Sequence, residues 1–165
     1  MKQYLGVGIS VGVLAGIWTQ VSVSLGLITW VAFVAWACFF AAGGGFEGFR
    51  KGLAANLSGV FWGWVVSVLA ARLTFNGALA VLVAVIAFIL CIQASWPPLS
   101  FIPGAFAGTA VFFGTAFAFW QTVLALVVGA GLGWLSAILA ARIQAAIDPP
   151  TGLAAQEPAP PVQAA

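Results

Sequence analysis

Charge is what this chain most lacks. Only 5% of its 165 residues are charged, where a soluble domain carries about 25% to cover its surface. Hydrophobic residues reach 64%, more apolar surface than a water-soluble fold can hide. The net charge of +2 comes without a basic cluster or stripe, which excludes nucleic-acid binding. Histidine is absent and only two cysteines occur, Cys38 and Cys91, each inside an apolar run. Metal coordination therefore lacks ligands. The cysteines read as small buried hydrophobes rather than a disulfide pair. No constellation of nucleophile, base or paired carboxylates is present, so neither an enzyme nor a resident cofactor is expected.

The charges that exist punctuate the chain. Lys2, Glu47, Arg50, Lys51, Arg72, Arg142, Asp148 and Glu157 all stand at ends or connections of apolar runs. A spanning helix needs about 20 apolar residues, because the hydrocarbon core is about 30 Å thick. Gly, Pro, Asn and charge divide the chain into six such runs: 4–24, 26–43, 53–73, 77–95, 99–117 and 120–143. Met1-Lys2-Gln3 resembles the start of a signal peptide. The run after it is long and lacks a clear cleavage site before Ser24, so it is read as a retained first helix. From Asp148 onward the sequence DPPTGLAAQEPAPPVQAA has no apolar face, and residues 146–165 are expected to form a disordered cytoplasmic tail. Lysine and arginine are retained on the cytoplasmic side. With six spans, Lys2, Arg50, Lys51 and Arg142 fall on the side of the N-terminus and Arg72 on the other, which predicts both termini in the cytoplasm.

The runs repeat. At an offset of 70 residues, Gly59-Val-Phe-Trp-Gly-Trp64 through Leu69-Ala-Ala-Arg72 lines up with Gly129-Ala-Gly-Leu-Gly-Trp134 through Leu139-Ala-Ala-Arg142, sharing the pattern GxxxGWxxxxLAAR. At an offset of 73, Gln20 pairs with Gln93, Ser22 with Ser95, Phe33 with Phe106, and Phe39-Phe40 with Phe112-Phe113. Accidental matches among Ala, Val and Leu are common in apolar sequences, but polar residues are expensive and rare in a membrane. The reading is an all-α transmembrane six-helix bundle of two inverted three-helix repeats, residues 1–75 and 76–145. Inverted repeats build many transporters, with the solute path between halves near the midplane.

Apart from Arg72 and Arg142 at the run ends, every polar residue inside the runs is uncharged. Proton-coupled carriers keep a titratable group within the membrane, and here only Glu47 stands close enough to reach inward. Passive movement of a small neutral solute remains, where hydroxyls, amides and carbonyls replace water. Phe39, Phe40, Phe112 and Phe113 are candidates for a constriction, and Thr109, Asn56, Gln20 and Gln93 for hydrogen-bonding positions. Ordinary helix packing or lipid contact is the competing reading for the aromatics. Pro103, Gly104 and Gly108 mark a segment where a broken fifth helix exposes backbone to a pathway. The spacings Gly12-x-x-x-Gly16, Gly59-x-x-x-Gly63, Gly104-x-x-x-Gly108 and Gly129-x-x-x-Gly133 suit close helix packing.

The stretches SVGVLAGIWTQVS, WACFFA, NLSGVFWGW and FIPGAFAGTAVFFG together resemble the YcdZ-like family of small bacterial inner-membrane proteins, over roughly residues 5–143. The resemblance implies a bacterial inner membrane and supplies no functional residues. No motif of the aquaporin or urea-transporter families is present. The expected function is a passive channel or facilitator for a small neutral polar solute of urea or amide size, in a homo-oligomer. A non-transporting scaffold or accessory subunit is the alternative, and an ion-coupled small-solute transporter a further one.

Overall fold

The computed structural model describes residues 4–148, and among these every regular element is helical. The helices are α1 (Leu5–Ser24), α2 (Thr29–Ala41), α3 (Gly45–Ala70), α4 (Ala78–Ile92), α5 (Ile102–Gly114) and α6 (Phe119–Ile147). Two single 3₁₀ turns, Gln93–Ser95 and Pro97–Leu99, join α4 to α5. The expected tail, from residue 149, lies outside the described residues.

Six helices appear where six apolar runs were read, but they are not six equal spans. Four are long and apolar enough to cross a membrane: α1, α3, α6, and α4 with its 3₁₀ extension to Ser95. The other two, α2 and α5, have 13 residues each. At 1.5 Å per residue each is about 20 Å long, short of the ~30 Å core. Both end at turns with positive φ, α2 where its apolar run ends and α5 within the last residues of its run. Gly43 and Gly44 take φ of 102° and 67°, and Ala116 and Phe117 take 51° and 67°. In both turns the helix closes with the same bonds: Gly44 N–H donates to Phe39 O at 3.0 Å, and Phe117 N–H to Phe112 O at 3.1 Å. Glycine meets no Cβ penalty there, whereas Ala116 and Phe117 cost about 1–2 kcal/mol each. Phe117 stacks edge-on against Phe112 and Phe113, at 5.6 and 5.7 Å.

The short helices are held between the long ones. α2 lies along α6 and α5 along α3, each pair running the same way. α3 and α6 run antiparallel, since Phe49 meets Trp134 at 6.0 Å and Trp64 meets Phe119 at 6.3 Å. The closest approaches occur at glycine. A Cβ on Gly59 would run into the carbonyl oxygen of Ala105, and one on Gly129 into that of Ala32. One turn further on, a Cβ at Gly63 would stand 2.9 Å from Phe112 Cδ1, and one at Gly133 would stand 2.8 Å from Phe39 Cγ. Without a hydrophobic drive between helices in lipid, such backbone proximity is what association rests on. The buried set on α2 includes Val31, Ala32, Ala35, Cys38 and Phe39, and the set on α5 is Gly104, Ala105, Gly108, Val111 and Phe112. Each member of the second stands 73 residues after one of the first.

The outer helices are tied on by polar contacts at the corners. Ser22 and Thr29 hydroxyls meet at 2.6 Å, and Trp18 Nε1 donates to Thr29 O at 3.1 Å, fixing α1 to α2. Gly6 N–H donates to Gln144 Oε1 at 3.0 Å, so the start of α1 lies beside the end of α6. The outside is apolar, with Val13, Leu79 and Phe88 more than half exposed, as lipid contact requires.

Not every glycine is placed for packing. Gly12 and Gly16 have nothing within 4 Å of an added Cβ, so their spacing does not serve contact inside the described chain. Gly59→Ala and Gly129→Ala are each expected to destabilise the bundle by about 1–3 kcal/mol through forced separation of helices. Gly12→Ala is expected to be neutral. Thermal unfolding of the detergent-solubilised protein measures both, and equal effects at the three positions contradict the packing described.

Candidate functional site

The buried polar residues are Ser10 and Ser22 on α1, Asn56 on α3, and Thr122 and Ser136 on α6. Asn56 is fully buried where α2, α3 and α5 meet. Its Nδ2 donates to Gly104 O at 2.8 Å and to Cys38 Sγ at 3.4 Å, while its Oδ1 has no partner. The backbone is equally close there, since a Cβ on Gly108 would run into Asn56 O. Thr109 donates to Gly59 O at 2.9 Å. Asn56, Gly104, Gly108 and Thr109 are therefore brought together at the α3–α5 contact.

Gln93 meets a different face of α3, at Ser58 and Trp62. Its Oε1 accepts from Ser58 Oγ at 2.7 Å and from Trp62 Nε1 at 3.3 Å, leaving Nε2 buried and unpartnered. Asn56 Oδ1 and Gln93 Nε2 are the two buried side-chain polar atoms without a partner among the described residues. Burying such a group unpaired costs about 1–3 kcal/mol. One is an acceptor and the other a donor.

The remaining candidates lie elsewhere. Gln20 is exposed on α1, where its Nε2 reaches only Ser24 Oγ at 3.2 Å. Phe39 and Phe112 are buried and fill the space over Gly133 and Gly63. Phe40 is 40% exposed and borders a shallow groove with Val11, Phe33, Trp36 and Ala37. Phe113 and Thr109 border a cavity of about 210 Å³ between α3, α4 and α5, walled otherwise by Val66, Ile86, Leu90, Phe106 and other apolar side chains. Pro103 stands in the first turn of α5, where its missing N–H costs nothing, and α5 runs unbroken from Ile102 to Gly114. The interruption anticipated at Pro103 falls before it instead, across Trp96 to Phe101.

Trp36, which the sequence did not single out, is the counterpart of Thr109 at an offset of 73 residues. It is buried, and its Nε1 donates to Ser136 Oγ at 3.0 Å. Ser136 in turn donates to Gly133 O at 2.7 Å. A buried tryptophan needs a partner for its N–H, which was the available signal. Glu47 does not reach inward: its carboxylate pairs with Lys51 Nζ at 2.9 Å and Arg50 at 3.2 Å, and its side chain is 55% exposed. Among the described residues no group of three or more His, Cys, Asp or Glu is placed to hold a metal ion.

Comparison with known proteins agrees with a membrane protein of this kind. The chain is 41% identical over 117 residues to "Inner membrane protein YcdZ" of Escherichia coli (strain K12), covering 68% of this chain and 71% of the relative. The Salmonella typhimurium protein of that name is 39% identical over 117 residues, 68% of this chain and 72% of its own. "Uncharacterized protein YahC" of Escherichia coli (strain K12) is 33% identical over 150 residues, 82% of this chain and 90% of its own. No solved structure matches. Residues 8–141 match the family described as "Protein of unknown function (DUF1097)", and the chain, a multi-helix membrane protein like the YcdZ proteins it resembles, belongs to that family.

Proposed function

We propose that this protein is a passive facilitator for a small neutral polar solute of urea or amide size, in a bacterial inner membrane. The observation that carries the reading is the pair of unpartnered buried atoms, Asn56 Oδ1 and Gln93 Nε2. A neutral solute bearing a donor and an acceptor suits both, and hydrogen bonds made only in its presence offset the cost of leaving them bare. The exposed ion pairs of Glu47 favour passive passage over ion coupling, since no acid turns into the bundle from that site.

The fold is read as two inverted three-helix units. Support comes from the exchanged contacts Phe49–Trp134 and Trp64–Phe119 and from the matching glycine approaches of α3 and α6. The buried faces of α1 and α4 do not correspond, because α1 turns Gly6 and Ser10 inward while α4 turns Ile86 and Leu90. The likeness is thus strongest in the four inner helices. Arg50 and Lys51 at the start of α3 and Arg142 near the end of α6 lie toward one side of the bundle, which favours placing that side and both termini in the cytoplasm.

The alternative, a non-transporting scaffold or accessory subunit, draws on the face of α1 bearing Gly8, Gly12 and Gly16. None of the three meets an atom within 4 Å of an added Cβ. A homo-oligomer uses the same face.

Two experiments test these readings. Purified protein in liposomes is expected to carry acetamide or urea faster than protein-free vesicles, by stopped-flow light scattering, at a rate unaffected by an imposed proton or sodium gradient. Rates equal to empty vesicles favour the scaffold. For orientation, Asn76→Cys on the α3–α4 connection, in a Cys38→Ala, Cys91→Ala background, is expected to react with an impermeant thiol reagent added to intact spheroplasts. Reaction only after lysis reverses the topology.

A further inference from the structure

The start of α3 carries charge where its counterpart carries none. Glu47, Arg50 and Lys51 stand in the first two turns of α3, and the residues 70 places on are Phe117, Trp120 and Gln121. An acid in the first turn suits the helix dipole, but two cations there oppose it. Helix stability therefore does not account for Arg50 and Lys51, and α6 starts without them.

Beside Arg50 runs an apolar groove. It has a volume of about 280 Å³ and is lined by Phe46, Phe49, Arg50, Leu53, Ala54 and Leu57. Helical spacing puts these positions on one face, and every one belongs to α3. The face is left open because α5 is short: it begins at Ile102, and its Gly104 meets α3 only at Ala55. α2 covers a different face, where Gly48 and Gly52 lie against the Phe39 and Cys38 carbonyls.

Depth and charge suit a lipid. α3 has 26 residues, about 39 Å at 1.5 Å each, more than the ~30 Å hydrocarbon core. Its first turns thus stand at the polar boundary of the bilayer. Helical side chains lean toward the N-terminus, so Arg50 leans toward the headgroups while Leu53, Ala54 and Leu57 continue into the acyl region. Glu47 accepts from Lys51 Nζ at 2.9 Å and from Arg50 Nη2 at 3.2 Å. One carboxylate shared by two cations leaves a net positive charge, and it steadies Arg50 while using few of the five guanidinium N–H donors.

We propose that this face of α3 binds an anionic phospholipid, with the phosphate on Arg50 and one acyl chain along the groove to Leu57. A zwitterionic headgroup brings its own cation to compete for the phosphate, and phosphatidylglycerol does not. The apolar groove favours a lipid over a free phosphate, because burying an acyl chain adds to the charge contact. The site is separate from Asn56 and Gln93, so it stands or falls independently of transport.

Native mass spectrometry of the delipidated protein, titrated with dioleoylphosphatidylglycerol, tests the site. One lipid per chain is expected, bound about tenfold tighter than dioleoylphosphatidylcholine. Arg50→Gln is expected to reduce phosphatidylglycerol binding to the phosphatidylcholine level. Ala54→Phe, which keeps every charge and fills the groove, is expected to weaken it about tenfold. Arg72→Gln, which removes the cation just past the far end of α3, leaves it unchanged. The thermal midpoint is expected to rise with phosphatidylglycerol and not with inorganic phosphate. If Arg50→Gln does not fold, as judged by size-exclusion profile, Ala54→Phe must show the loss. Equal binding of the two lipids, binding that survives Arg50→Gln or Ala54→Phe, or an equal loss with Arg72→Gln overturns the proposal. Stabilisation by inorganic phosphate as large as that by phosphatidylglycerol overturns the lipid assignment.

Discussion

The bundle depends on backbone meeting backbone at two glycines. Gly59 lies against the Ala105 carbonyl and Gly129 against that of Ala32, and these contacts pull a short helix onto each long one. In lipid, apolar side chains gain nothing by leaving one apolar neighbour for another, so helix association has to come from close packing and from hydrogen bonds. The glycines supply the first. The second comes from side chains that the approach brings into range, among them Thr109 to Gly59 O and Asn56 to Gly104 O. A larger residue at either glycine removes both at once.

The same contacts make the short helices possible. A helix of about 20 Å leaves its terminal N–H and C=O groups at a depth where water is scarce. In α2 and α5 those ends are enclosed by α3 and α6 or closed by their own turns, as with Phe39 O and Phe112 O. Fully exposed to hydrocarbon, neither helix has the length to stand alone. Polar groups in the interior are correspondingly tied down, through Ser22 to Thr29, Thr115 to Thr122 and Trp36 to Ser136. Against that background the bare Asn56 Oδ1 and Gln93 Nε2 are exceptional.

Helix number and the long apolar spans were legible in the sequence because hydropathy alone decides them. The lengths of α2 and α5 were not. The apolar stretch of α5 continues through its turn, since Ala116-Phe117 carries none of the Gly or Pro punctuation that marks Gly43-Gly44. The correspondence of Phe39 with Phe112 was visible at its 73-residue offset, but a sequence match says nothing of what each ring touches, and both rings turn out to cover glycines. Asn56 and Gln93 were visible as polar residues in apolar runs. Trp36 was hidden among eight tryptophans, its partner Ser136 standing 100 residues away. Long-range partners of that kind follow from topology and leave no local pattern.

The crossed partnership of the inner helices also sets an order of assembly. During synthesis α2 is complete long before α6, the helix it packs along, has been made. For that interval a helix too short for the bilayer has α1 beside it, through the Ser22–Thr29 and Trp18–Thr29 contacts, and then α3, whose Gly48 and Gly52 lie against the Phe39 and Cys38 carbonyls. α5 faces no such wait, because α3 is already in place when it emerges. The joint that α2 makes with its neighbours in sequence is therefore the part of its packing that does not depend on the last helix.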